Sequence, residues 1–196
     1  TSDNRALFMY QSGYLTLKGS DEDEYQLTIP NTEVRNALYR LILPSIVLRR
    51  SEDVDSEQIR LRRAMKAGDV EQMFVYLKAQ VADIPYSNIK YAERVLHMEE
   101  RYRMIITIIL RALGFRVEVE RMQAVGRPDI VVYVKDKVYI LELKLQNNGG
   151  ASAAAEQIRE KHYCDPFLTE NKQVFALGIG MDDEGKGLIE YEQVES

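Results

Sequence analysis

The stretch GRPDIVVYVKDKVYILELKL, residues 126–145, reads as two β-strands joined by a short polar turn, and it decides the fold of the chain. β-Branched and aromatic residues dominate Asp129–Val134, and together with leucine they dominate Val138–Leu145, while Lys135-Asp136 supplies the turn between them. A turn on those two residues pairs Val134 with Lys137, and continuing that register outward sets Asp129 opposite Glu142. Opposed Cβ atoms lie ~4.5–5.5 Å apart, and Lys144, two residues on, projects from the same face as Glu142. Two carboxylates and one ammonium therefore converge in otherwise apolar strands. Ionised groups buried without partners cost several kcal/mol and adjacent carboxylates repel, so the arrangement calls for a proton, a salt bridge or a metal. All-oxygen ligation with open positions suits Mg²⁺ or Mn²⁺. The competing reading is that Lys144 neutralises one acid in an internal ion pair.

Before this hairpin, a long helix is expected over about Ile89–Leu113, stopped by Gly114 at the glycine C-cap position, and then a strand over Phe115–Arg121. On that helix Glu99 shares a face with Val95, Leu96 and Tyr102, whereas Glu100 neighbours His97 and Arg103. Glu99 is thus the inward candidate for a third acid and Glu100 a solvated one. After the hairpin come a helix over Ala151–His162 and strands over Val174–Gly180 and Leu188–Tyr191. In that helix Gln157 and Lys161 lie one turn apart, an amide and an ammonium that together suit a phosphate, with a plain surface position as the alternative. The order helix, strand, strand, strand, helix, strand, strand is an α/β arrangement. His162 and Cys164 show no partner pattern and receive no role.

The first 50 residues read as a winged-helix-like unit: a helix ending near Gly13, strands Tyr14–Lys18 and Tyr25–Ile29, and a helix capped by Asn31 or Thr32 that runs to about Leu43. Four consecutive acids, Asp21–Glu24, stand in the intervening turn and would repel phosphate, which favours a structural role over DNA reading. Residues 51–88 read as a linker of two helices, with Val70, Met73, Phe74, Leu77 and Val81 on one apolar face. Arg60, Arg62, Arg63 and Lys66 are expected to be solvated there rather than bound to a phosphate backbone. Residues 89–196 form the remaining domain.

Of 196 residues, 45% are hydrophobic and 29% charged, with 11 Gly and 5 Pro, which excludes disordered and low-complexity classes. The longest apolar run, Met104–Leu110 with Thr107 inside it, falls far short of the ~20 residues of a membrane span. One cysteine forms no internal disulfide, and with two histidines it excludes a His/Cys zinc cage, so a cytoplasmic location is expected. The net charge of −5 counts mildly against extensive nonspecific wrapping of DNA. The chain has no G-x-x-x-x-G-K-[ST] phosphate loop, and its start at Thr1 without Met suggests a piece of a longer protein.

A helix acid, Pro128-Asp129, a hairpin and Glu142-Leu143-Lys144 together resemble the PD-(D/E)XK nuclease superfamily. That resemblance implies a restriction-endonuclease-like fold, a mixed central sheet flanked by helices. The wider sequence is similar to the nuclease-like C-terminal region of bacterial proteins that begin with an AAA-ATPase-like domain. The pieces that carry this likeness are Tyr10–Leu15, Gly68–Glu71, Asp83–Tyr86, Leu113–Phe115, Gly126–Asp129, Ile140–Lys144 and Glu156–Lys161. On that likeness, Asp129 and Glu142 bind the metal with the Leu143 carbonyl, and Lys144 orients or activates the attacking water. Glu99 matches the helix acid, and Gln157 matches the helix glutamine found after the E-x-K strand in some branches. Arg103, where a smaller or polar residue often follows the tyrosine, and the loose link Asn147–Gly150 are departures. The expected function is a Mg²⁺- or Mn²⁺-dependent nuclease acting on DNA more than RNA, joined to an upstream ATPase-like domain. Two rivals are a catalytically silent module that binds nucleic acid or a partner, and a DNA reader in residues 1–48 with the rest as scaffold.

Overall fold

The computed structural model describes residues 2–21, 24–46, 51–82, 98–120, 126–168 and 172–195. Five strands form the main sheet in the order β3 (Arg116–Val119), β4 (Ile130–Val134), β5 (Lys137–Leu145), β6 (Gln173–Met181) and β7 (Leu188–Val194). β5 and β6 are parallel and every other neighbouring pair is antiparallel, so the sheet is mixed. A parallel pair needs a crossover, and helix α6 (Gly150–Glu160) supplies it.

The hairpin register matches the sequence reading, with Val134 paired to Lys137 and Ile130 to Leu141. Regular pairing begins at Ile130, one residue after Asp129. The observed strands β6 and β7 run past their expected ends, to Met181 and Val194. Helix α6 stops earlier than expected, because His162 takes a left-handed φ of 49° that no helix accommodates.

Strand alternation sorts the side chains into two cores. Tyr139, Leu141, Leu143 and Leu145 face helices α3 (Ser51–Ala67), α4 (Val70–Ala82) and α5 (Met98–Ala112), while Val138 and Ile140 face α6 and the short helix α7 (Asp165–Leu168). β5 is therefore covered on both sides, which explains its nearly unbroken apolar run. The helices read as a linker place Leu61, Met65, Met73 and Leu77 in the same apolar core as the sheet. Tyr139 donates to the Met65 carbonyl at 2.7 Å and stacks on Phe175.

Local capping follows the sequence. Asn31 accepts from Val34 N at the start of α2 (Thr32–Ile46), and Asp69 accepts from Gln72 N at the start of α4. Gly114, at φ 82°, ends α5, and Arg40 reaches from α2 to the Ala112 carbonyl at 2.9 Å. At the N-terminal end, α1 (Ser2–Gln11) precedes strands β1 (Thr16–Asp21) and β2 (Glu24–Thr28). Gly19, Ser20 and Asp21, read as turn residues, instead continue β1 past a bulge and pair with Gln26, Tyr25 and Glu24. The boundary expected at 88/89 and the first turns of the long helix, with Val95, Leu96 and His97, lie outside the described residues. No helix among the described residues is long and apolar enough to cross a membrane.

The spacing between α6 and the sheet is set by glycine. Gly178 of β6 pairs with Glu142 and Gly180 with Lys144. A Cβ on Gly178 would lie 2.4 Å from both the Ala151 carbonyl oxygen and the Ala155 nitrogen, so the backbone of α6 rests directly on β6. Ala151, Ala154 and Ala155 supply the matching small face. This close approach brings Gln157 within reach of β5.

Candidate functional site

Asp129 and Glu142 meet at the start of β4. Asp129 N donates to Glu142 Oε2 at 3.2 Å, and Asp129 Oδ2 accepts from Leu143 N at 2.9 Å. Glu142 is only 2% exposed, and its other oxygen, Oε1, accepts from Gln157 Nε2 of α6. Gln157 is held in turn near Tyr163, whose hydroxyl donates to the Arg127 carbonyl at 3.2 Å. The amide of Gln157 thus faces Glu142, while Lys161 is exposed beyond the last turn of the helix.

Lys144 lies two residues from Glu142 on the same side of β5 and is partly buried. Its positive charge favours the ionised form of both acids. Among the described residues, no ion pair joins Lys144 to either carboxylate. The cation paired with Asp129 is Arg103 of α5, whose Nη1 lies 3.1 Å from Asp129 Oδ1 and 2.9 Å from Glu120 Oε1. In the sequence Arg103 stood beside Glu100 on the polar face and as a departure from the family pattern, whereas the structure turns it onto Asp129. Its signal was an arginine one turn after Glu99, on a helix whose inner face is otherwise apolar.

Glu99 is partly buried and Glu100 exposed. Glu99 Oε1 accepts from Leu145 N at 3.2 Å and from Asn148 Nδ2 at 3.0 Å, which fixes it at the far end of β5. Among the described residues, no three His, Cys, Asp or Glu side chains gather as a metal cage. The structure thus brings Asp129, Glu142, Leu143, Lys144 and Gln157 together, with Glu99 at the edge of the group.

Burial, and next the Asp129 carboxylate, push the Glu142 carboxyl up to about 8. Burial also raises Asp129, against the hydrogen bonds from Leu143 and Arg103 that lower it. Two crowded carboxylates that resist ionisation together are a strong attractant for a divalent cation. The donors are all oxygen, and a carboxylate offers about four lone-pair positions, so the hydrogen bonds leave acceptor capacity for an ion. The residues present fit Mg²⁺ or Mn²⁺.

The raised Glu142 value makes stability depend on pH. The folded chain holds that proton more tightly than the unfolded chain, whose carboxyl titrates near 4.5, so stability is full below 4.5 and is lost as pH rises through about 8. In EDTA, the melting temperature is expected to fall between pH 5 and pH 8, and Glu142→Gln should flatten much of that slope. A profile equally steep in the variant would assign the titration to another group.

The two helix acids give a second expected result. Loss of a group that orients a metal site commonly costs ~10–100-fold in metal affinity or activity. Glu99→Gln is expected to reduce metal-dependent activity on that scale, while Glu100→Gln leaves it nearly unchanged. Equal behaviour of the two variants would remove Glu99 from the site.

A protein of Azotobacter chroococcum mcd 1, described as "Uncharacterized protein in vnfD 5'region", is 25% identical over 191 residues. The alignment covers 92% of this chain and 36% of the relative, so the chain spans about a third of the length of the curated protein that it matches. No solved structure matches the chain significantly. The five-stranded mixed sheet flanked by helices is restriction-endonuclease-like, and residues 97–191, which contain Glu99, Asp129, Glu142, Lys144 and Gln157, match the model of the PD-(D/E)XK nuclease superfamily.

Proposed function

We propose that this chain is a Mg²⁺- or Mn²⁺-dependent nuclease that hydrolyses phosphodiester bonds of DNA, as a cytoplasmic module of a larger ATPase-linked protein. The observation that carries the reading is the Asp129–Glu142 pair, joined through the Asp129 amide, with Lys144 on the same side of the strand. Asp129, Glu142 and the Leu143 carbonyl would hold the cation. When bound, a divalent ion polarises a phosphoryl oxygen and lowers the pKa of water. Lys144 positions the attacking water in line with the leaving oxygen and offsets charge that develops on the phosphoryl group. Leu143 N and Gln157 fix one oxygen each of Asp129 and Glu142, so neither carboxylate has to reorganise during the reaction.

A thermal-shift measurement tests the ligand assignment directly. At 100 times its dissociation constant a ligand adds roughly 2.7 kcal/mol, which at about 2–4 °C per kcal/mol gives a shift of several degrees. Mn²⁺ is expected to raise the melting temperature of the wild-type chain by that amount, and Asp129→Ala should abolish most of the gain. An equal shift in both proteins would place the ion elsewhere.

One observation favours the silent-module reading. All four carboxylate oxygens of Asp129 and Glu142 already accept a protein donor, and Arg103 supplies Asp129 with a counter-charge. Such a site is satisfied without a metal. Nucleic-acid binding that is indifferent to EDTA, together with intact substrate in Mn²⁺, would favour that alternative.

A further inference from the structure

Arg103 carries the strongest feature of the site that the proposed function does not use. A single nitrogen, Nη1, bridges Asp129 Oδ1 at 3.1 Å and Glu120 Oε1 at 2.9 Å. The two acids differ in setting. The Asp129 side chain is 19% exposed, whereas Glu120, just past the end of β3, is 49% exposed. Arg103 also borders an open groove of about 620 Å³ between α5, α2 and β3, walled by Tyr39, Met104, Ile108 and Val119. The guanidinium therefore stands between the carboxylate pair and the groove, with an acid on each side.

A cation that enters at Asp129 and Glu142 meets this arginine. Two positive charges crowded on one carboxylate repel strongly in a partly buried site, and the alternative partner is already in contact. We propose that Arg103 is a resident counter-ion that competes with the divalent metal for Asp129. Metal entry moves the guanidinium onto Glu120 at the groove wall, where it is positioned to receive a substrate phosphate. The inference rests on the reading of Asp129 and Glu142 as metal ligands and adds a positioning residue to it. Arginine suits the task, because it keeps its charge at every working pH and its fork of donors binds phosphate in two-point fashion. The consequence is an ordered site, in which full phosphate affinity requires the metal first.

The test is Mn²⁺ binding to the whole chain by titration calorimetry, at fixed pH and ionic strength and without nucleic acid. Removing a competing, partly screened ion pair is expected to tighten Mn²⁺ binding by roughly three- to tenfold in Arg103→Gln. Arg103→Lys, which keeps the charge, should return the affinity close to wild type. Arg111→Gln removes the same charge from the same groove, but Arg111 bonds the Tyr39 hydroxyl and the Val117 carbonyl and not Asp129, so it should leave Mn²⁺ affinity nearly unchanged. Glu120→Gln withdraws the alternative partner at a half-exposed position, and is expected to weaken Mn²⁺ by a similar factor. In Ca²⁺, Arg103→Gln should weaken binding of a single-stranded oligonucleotide, with no such loss in EDTA. Unchanged Mn²⁺ affinity in Arg103→Gln, or equal tightening in Arg111→Gln, overturns the inference while the metal site stands. If Arg103→Gln does not fold, unchanged affinity in Glu120→Gln overturns it. A wild-type chain whose Mn²⁺ binding is insensitive to Asp129→Asn overturns the metal-site reading, and the inference with it.

Discussion

Lys144→Ala is expected to lower metal-dependent cleavage by about 10²–10⁴-fold, the range that a positioned proton-transfer or water-orienting group supplies. Lys144 follows Glu142 by two residues on a strand whose even-numbered side chains face α6, so its ammonium projects beside the carboxylates. It forms no ion pair with either acid among the described residues, and its removal therefore leaves Asp129 with its Arg103 partner and Glu142 with Gln157. The fold is expected to survive with the melting temperature little changed. The measurement compares wild type and variant on supercoiled, linear and single-stranded DNA and on RNA, in Mn²⁺. Identical substrate in every lane would move the chain to the silent-module reading, and a substrate cut only by the wild type would define the nucleic-acid class.

Gly178→Ala is expected to have the largest effect on stability. The added methyl would sit 2.4 Å from two backbone atoms of α6 and 3.0 Å from a third, at Ala154. Backbone cannot rotate away as a side chain does, so α6 must lift from the sheet. Overpacking of this kind costs about 1–3 kcal/mol and occasionally more. It also carries Gln157 away from Glu142, so Mn²⁺ affinity should fall together with stability. Denaturant melts of the variant check the first effect and calorimetry the second. A variant as stable as wild type would mean that the backbone of α6 does not rest directly on β6 at Gly178. A stable contrast is Gly19→Ala in β1, where nothing lies within 4 Å of the new methyl.

The hairpin and the meeting of its two acids were legible in the sequence, because strand periodicity and a two-residue turn leave a single register. That register put Asp129 opposite Glu142 and Lys144 beside them, and the Asn31 and Gly114 caps were equally local signals. Local rules failed where the outcome depended on segments far apart in the chain. Gly19–Asp21 looked like turn residues, yet cross-strand pairing with Gln26, Tyr25 and Glu24 outweighed their weak strand preference. The helices over residues 51–82 carry an apolar face whose partner no periodicity names, and only packing showed that it is the Tyr139 and Phe175 side of the sheet.

The same division runs through the site. Residue types and spacing along β4 and β5 determined which acids face one another, since backbone alternation requires it. Tertiary structure alone decided that α5 and α6, packed on opposite faces of the sheet, each send one side chain to those acids: Arg103 to Asp129 and Gln157 to Glu142. It also decided that Glu99 stops at Leu145 N and Asn148 rather than at the carboxylate pair. The physical reason is reach. A helix face can be read from sequence to within about one residue, or 100° of rotation. Whether a side chain meets one oxygen or the next depends on ångström-scale helix-to-sheet distances, which here are set by the bare backbone of Gly178 against α6.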